Sequence, residues 1–215
     1  MDHQTNSPSQ KITLKLTLLR HGETRANRDS LVLGTDTVPL TKIGIQQSIK
    51  AAKRIAQLSI SAIYCSPFLR TTQTASYVTE ETGMPAIELD GLREMDSGEM
   101  EGIKMDEMRI KYPEYMQKWD SDPSTARPPG GDTMGEVHER TWDSVLSLSE
   151  YHRNEHILAV SHLFPIQGIL CNIAGIHSNN YEKFKIELGS LTTVRIEQDK
   201  KSIINISETS HLDIL

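Results

Sequence analysis

Leu14-Lys15-Leu16-Thr17-Leu18-Leu19-Arg20-His21-Gly22-Glu23-Thr24 is the stretch from which the rest of the chain can be read. Its first six residues are four leucines around Lys15 and Thr17, an apolar run of the length of a buried strand. The run stops at an arginine and a histidine, and Gly22 lets the backbone turn sharply there. In an open α/β sheet, reactive groups gather at the carboxyl ends of the strands. A histidine delivered to that edge beside an arginine suits attack on an anionic substrate, or its retention. A solvated basic pair capping a strand is the plainer alternative, and the rest of the chain has to decide between them.

Outward from that stretch the chain alternates strand and helix signals. Thr24 to Pro39 is polar and long for a structureless connection, a length at which loops are often functional. Thr41 is suited to cap a helix over 42–58, with Ile45, Ile49, Ala52 and Ala56 at helical spacing. A second strand, Ala62–Cys65, runs into Ser66-Pro67, which reads as an N-cap and first helical residue. That helix runs to about Thr82 and stops at Gly83, and it puts Arg70 in its first turn, at the same edge as His21. A third strand is expected over 86–89. Residues 92–102 show no clear period and read as loop.

Further on, Met105, Met108, Tyr112, Met116 and Trp119 recur at helical spacing, with a break near Tyr112 imposed by Pro113. Asp122–Gly131 is a turn-rich connector, and Thr133-Met134-Gly135-Glu136 is a capping box opening a helix to about 150. His156–Val160 is a continuous apolar strand of the parallel-sheet kind, ending in Ser161-His162, after which Pro165 starts a helix to about Ala174. The runs 183–188, 191–197 and 202–206 alternate and read as antiparallel additions at a sheet edge.

The formal charge of −6 over 215 residues argues against a nucleic-acid or anionic-membrane partner, so positive charge at a site has to be local. Cys65 and Cys171, the only cysteines, have no metal-type spacing and read as buried free thiols of a reducing compartment. His152 and His156, four apart, straddle a helix end and a strand start and read as structural. Residues 1–11 are polar, without a signal core, and no later apolar run has membrane-spanning length. The expectation is a cytoplasmic protein with a flexible tail at 1–11 and one domain over 12–215.

Three strand ends thus bring Arg20-His21, Arg70 and His162 to one edge. The chain resembles the histidine phosphatase superfamily, the branch that includes cofactor-dependent phosphoglycerate mutase, across about residues 14–197. The resemblance rests on Leu19–Thr24, Asn27, Pro39-Leu40-Thr41, Ser66-Pro67 with Arg70-Thr71, Leu92-Arg93-Glu94, Gly98, Pro129-Gly130-Gly131 and Val160-Ser161-His162, in family order. It implies a three-layer αβα sandwich with a mostly parallel central sheet. It also implies that His21 takes the phosphoryl group and that Arg20, Arg70 and His162 bind its oxygens. Glu94 would give and accept the proton, and Asn27 would add a phosphate contact. Glycine usually follows the second histidine; here Leu163-Phe164 stands there, and the backbone N–H of Leu163 is the group expected to face the phosphate in a narrowed pocket.

Neither metal nor cofactor is implied, since a neutral imidazole is a competent nucleophile and paired guanidiniums suit phosphate oxygens. The segment between Glu94 and Gly130 is short and lacks the paired arginines sought in a mutase. The expectation is therefore a phosphatase acting on a small-molecule phosphate monoester. Mutase-type phosphoryl transfer and a non-catalytic phosphate-ester binding protein are the alternatives. No nucleic-acid or membrane partner is expected, and a homodimer is left open.

Overall fold

A computed structural model of the protein describes residues 13–198 and 200–213. The tail expected at 1–11 lies outside the described residues. The first strand, β1 (Thr13–Arg20), is followed by a one-turn helix α1 (Arg25–Arg28) and by α2 (Lys42–Ile55). Then come β2 (Ala62–Cys65), α3 (Leu69–Thr82), β3 (Ala86–Glu88), α4 (Met108–Lys111), α5 (Pro113–Ser121) and α6 (Met134–Tyr151). Strand β4 (Glu155–Ser161), helix α7 (Leu163–Ala174) and strands β5 (Leu191–Glu197) and β6 (Lys201–Glu208) complete the order. Short 3-10 turns at Asp90–Leu92, Gly98–Met100 and Ser178–Lys183 fill the connections.

The six strands form one sheet in the order β3-β2-β4-β1-β5-β6. β3, β2, β4 and β1 run parallel, while β5 and β6 join antiparallel at one edge. The period-two alternation of a strand separates the two faces. Leu14, Leu16 and Leu18 pack with Val145 and Leu148 of α6 and with Ile166, Ile169 and Leu170 of α7. Leu19, Ile63 and Val160 pack on the other face with Ala51 and Ile55 of α2 and Val78 of α3. The result is the three-layer αβα architecture expected from the sequence.

Several local expectations change. The run 183–188 is no strand: Gln167 Nε2 donates to the Phe184 carbonyl at 2.9 Å and Arg20 Nη1 donates to that of Ile186, so two of its acceptors go to side chains. Helix α3 begins after Phe68, which is extended, and Ser66 does not cap it; the Ser66 hydroxyl is engaged elsewhere. Helix α7 begins at Leu163, two residues earlier than Pro165 suggested, because a proline in the first turn has no intrahelical N–H bond to lose. The stretch around Pro113 divides into α4 and α5, with the proline as the first residue of α5. The loop after Glu23 contains α1, whose cap is a reciprocal Thr24–Asn27 box.

One contact fixes the turn after β1. Gly44 on α2 lies so close to the β1 loop that a Cβ on it would sit 2.1 Å from the Glu23 carbonyl oxygen. Helix propensity alone would make Gly44→Ala stabilising by about 1 kcal/mol. The clash reverses the sign, and we expect a net loss of about 1–3 kcal/mol in urea unfolding. A raised urea midpoint would show that the two segments can separate without cost.

Candidate active site

The sheet register builds the site. β1 and β4 pair in parallel with Arg20 opposite Ser161, so the next residues, His21 and His162, leave the sheet side by side. Their ring centroids are 5.2 Å apart. β2 pairs with β4 with Cys65 opposite Val160, which brings the following residue, Ser66, level with the same edge. Arg70 enters from the first turn of α3. His21, His162, Arg70 and Glu94 are all buried.

Hydrogen bonding assigns the two imidazoles opposite tautomers. His21 Nδ1 lies 2.8 Å from the Gly22 carbonyl, which can only accept, so Nδ1 carries the hydrogen and Nε2 keeps its lone pair. Arg70 Nε donates to His162 Nδ1 at 3.2 Å, so in His162 the hydrogen is on Nε2, which donates to Ser66 Oγ at 2.8 Å. Burial, reinforced by the Arg70 and Arg20 charges, holds both rings far below the ordinary histidine value. Both are neutral at pH 7, and the neutral form is the nucleophilic one.

The two guanidiniums are the unusual electrostatic feature. Arg70 donates to the carbonyls of Gly34 at 2.7 Å and Asp36 at 3.3 Å, and burial lowers its pKa to about 10, which leaves it charged. Arg20 reaches the Ile186 carbonyl, while its buried Nε has no hydrogen-bond partner. Among the described residues neither arginine forms an ion pair. Buried Arg70 and half-buried Arg20, hydrogen-bonded only to neutral groups, leave charge that a bound anion can neutralise.

Glu94 closes the cluster. Its Oε1 accepts from the N–H groups of Met95 at 3.0 Å and Phe164 at 3.3 Å, and its Oε2 from that of Leu163 at 3.1 Å. Burial pushes its carboxyl above the ordinary carboxylate value, against the pull of the Met95 N–H, of Arg70 and Arg20, and of the Leu163 N–H. The Leu163 N–H, expected to face a phosphate, is thus engaged by Glu94, because α7 starts at Leu163 and its first free N–H groups converge on that carboxylate.

Asn27 serves α1 first. Its Oδ1 accepts from the Thr24 N–H at 3.0 Å and from the Thr24 hydroxyl at 2.8 Å. Glu23 orients the loop, accepting from Thr41 Oγ1 at 2.6 Å. Ser66 joins the site as the acceptor of His162 and not as a helix cap, and a strand-terminal serine in register with a histidine is its sequence signal; the Gly34 and Asp36 carbonyls carry none. His152 and His156 point apart, to Tyr64 and Thr17, as structural residues. Cys65 and Cys171 are free and buried. A surface groove of about 490 Å³ beside α5 has Lys111, Lys118 and Arg127 on its rim, each paired with a carboxylate, and it holds none of the clustered histidines. No helix among the described residues is long and apolar enough to cross a membrane.

The family model of the histidine phosphatase superfamily (branch 1) matches residues 16–209. Phosphoserine phosphatase 1 of Hydrogenobacter thermophilus is 27% identical over 199 residues, covering 93% of this chain and 94% of that one. Among solved structures, Bacillus stearothermophilus YhfR superposes with a TM-score of 0.87 at 25% identity, over 93% of this chain and 100% of its own. The alpha-ribazole phosphatase from Shigella flexneri gives 0.82 at 27% identity, over 90% and 96%.

The tautomers and charge states are open to direct measurement. Nitrogen-15 spectra should show a neutral His21 protonated on Nδ1 and a neutral His162 protonated on Nε2, both persisting well below pH 6.5 while solvated imidazoles titrate. Titration of both rings near 6.5 would remove the electrostatic argument.

Proposed function

The chain belongs to branch 1 of the histidine phosphatase superfamily, and on that premise we propose that it hydrolyses a small-molecule phosphate monoester through a phosphohistidine at His21. The observation that carries this reading is the pair of ion-pair-free guanidiniums, buried Arg70 and half-buried Arg20, around an imidazole whose Nε2 lone pair is free.

In the first half-reaction His21 Nε2 attacks phosphorus as the ester P–O bond breaks. The Glu94 carboxyl gives its proton to the departing oxygen, so the alcohol leaves neutral. The positive charge that develops on the ring is shared with the Gly22 carbonyl through Nδ1–H. Glu94, now ionised, is held by the N–H groups of Met95, Leu163 and Phe164. In the second half, water enters where the alcohol left and gives a proton to Glu94. The P–N bond then breaks, releasing inorganic phosphate and a neutral His21. Arg20 and Arg70 neutralise the phosphoryl oxygens throughout, as preorganised donors do. His162 acts beside them: its Nδ1 fixes the Arg70 side chain, and its ring lies against that of His21. The amide nitrogen of Asn27 is the group left to reach a phosphate oxygen.

The working pH follows from these shifts. His21 stays neutral far into acid, whereas the first step needs Glu94 protonated. As pH rises through the elevated Glu94 pKa the acid is lost, so kcat/KM should peak on the acid side and fall toward alkaline pH. Glu94→Gln should flatten that alkaline limb and slow alkyl phosphates about a hundredfold or more, while sparing aryl phosphates, whose leaving groups need no proton. Equal loss on both ester types would take Glu94 out of the acid role.

The nucleophile has its own test. With EDTA present, wild-type protein mixed with labelled substrate and quenched in alkali should carry label on His21. His21→Ala should lose turnover while keeping its circular dichroism spectrum. Unimpaired turnover by His21→Ala would end the proposal, and label passed to a second phosphoglycerate rather than to water would identify a mutase.

A further inference from the structure

Leu163 and Phe164 hold Glu94 with their backbones; the Leu163 side chain packs on the core shared by α6 and α7, while that of Phe164 stands in an aromatic cluster beside the proton donor. Resting on the phosphatase reading above, we infer that the leaving alcohol is apolar, about one ring in size and without an anionic group of its own.

Four half-buried rings support the assignment. Phe164 packs edge-on against Trp119 of α5 at 6.0 Å and Tyr181 of the 178–183 turn at 5.8 Å, and Trp119 meets Tyr181 at 5.9 Å. Met95, the neighbour of Glu94 in sequence, joins the same apolar cluster. The Phe68 ring lies 5.5 Å from that of His162, with the Arg70 guanidinium 5.2 Å from its centre. The proton donor and the phosphoryl-binding pair are therefore each flanked by aromatic surface that remains partly open to solvent. Partly exposed rings clustered beside a polar reaction centre are how sites recognise apolar groups.

Charge argues the same way. A leaving group bearing a carboxylate, as in phosphoserine or phosphoglycerate, needs a free cation near the ester. Around Glu94 the arginines outside the phosphoryl cluster already face carboxylates: Arg93 Nε lies 3.2 Å from Asp90 and Arg140 Nη2 3.5 Å from Asp132, both within ion-pair distance though without a hydrogen bond, and Arg127 pairs with Glu136. A second anion would have to compete with these carboxylates for the same cations, in a chain whose net charge is already −6. An uncharged ring faces no such competition.

The test compares benzyl phosphate, ethyl phosphate, phosphoserine and 3-phosphoglycerate, all esters of alkyl alcohols that need a proton to leave, with EDTA present. Wild-type kcat/KM for benzyl phosphate should exceed that for ethyl phosphate about tenfold or more, the scale on which apolar pockets discriminate. It should also exceed the values for both carboxylate substrates. In Phe164→Ala the benzyl-to-ethyl ratio should fall toward one, chiefly through a raised KM for benzyl phosphate. Trp119→Leu, which keeps an apolar filler, should lower the same ratio and guards against a truncation that unfolds. A carboxylate substrate preferred by the wild type, or an unchanged ratio in folded variants, overturns the inference. Turnover of ethyl phosphate that depends on His21, without a benzyl preference, sinks this inference alone. No His21-dependent turnover of any ester sinks the phosphatase reading with it.

Discussion

The parallel pairing of β1 with β4 is the constraint on which everything at the active edge depends. Because Arg20 stands opposite Ser161, the two histidines leave the sheet together, and a slip of one residue would send one of them to the other face. The slip is resisted on both sides of the sheet. Leu14, Leu16 and Leu18 are committed to the α6/α7 face and Leu19 to the α2/α3 face, so any shift would exchange buried leucines for polar neighbours. The hydrophobic core thus does chemical work indirectly: it sets the distance between two imidazoles.

The second theme is charge kept without a direct ion pair. Arg70 is buried and held by two carbonyls and a neutral ring nitrogen, and Arg20 by one carbonyl. A carboxylate partner would have relieved the desolvation of either, but it would also have competed with an anionic substrate. The same burial that makes the arginines costly keeps both histidines neutral and raises Glu94, so one physical cause prepares the proposed nucleophile, anion site and acid together. The N-terminus of α7 moderates the last of these, since its N–H groups receive the carboxylate once the proton has gone.

The loop over 33–37 and the α4/α5 segment supply what the sheet does not. Glu101 holds the Thr35 and Asp36 N–H groups, and through them the carbonyls of Gly34 and Asp36 that grip Arg70. Helix α5 carries Trp119 to Phe164 and Tyr181. These parts of the chain lie outside the sheet and carry distinctive side chains, which is where relatives sharing one scaffold can differ in substrate.

Much of this was legible without coordinates. The apolar run into Arg20-His21, the continuous strand before His162 and the Thr133–Glu136 capping box each carry their structure in local sequence, because burial, strand period and cap chemistry act over a few residues. The family motifs added Glu94, which no period would have found. Other features were decided only in three dimensions. Ser66 looked like a helix cap until the β2–β4 register brought its hydroxyl to His162. The run 183–188 alternates like a strand, yet its carbonyls go to Arg20 and Gln167. The Leu163 N–H turned to Glu94 because the helix opened two residues before its proline. Local sequence determines which groups a segment offers; which partner takes them is set by segments scores of residues away, through packing that only the folded chain contains.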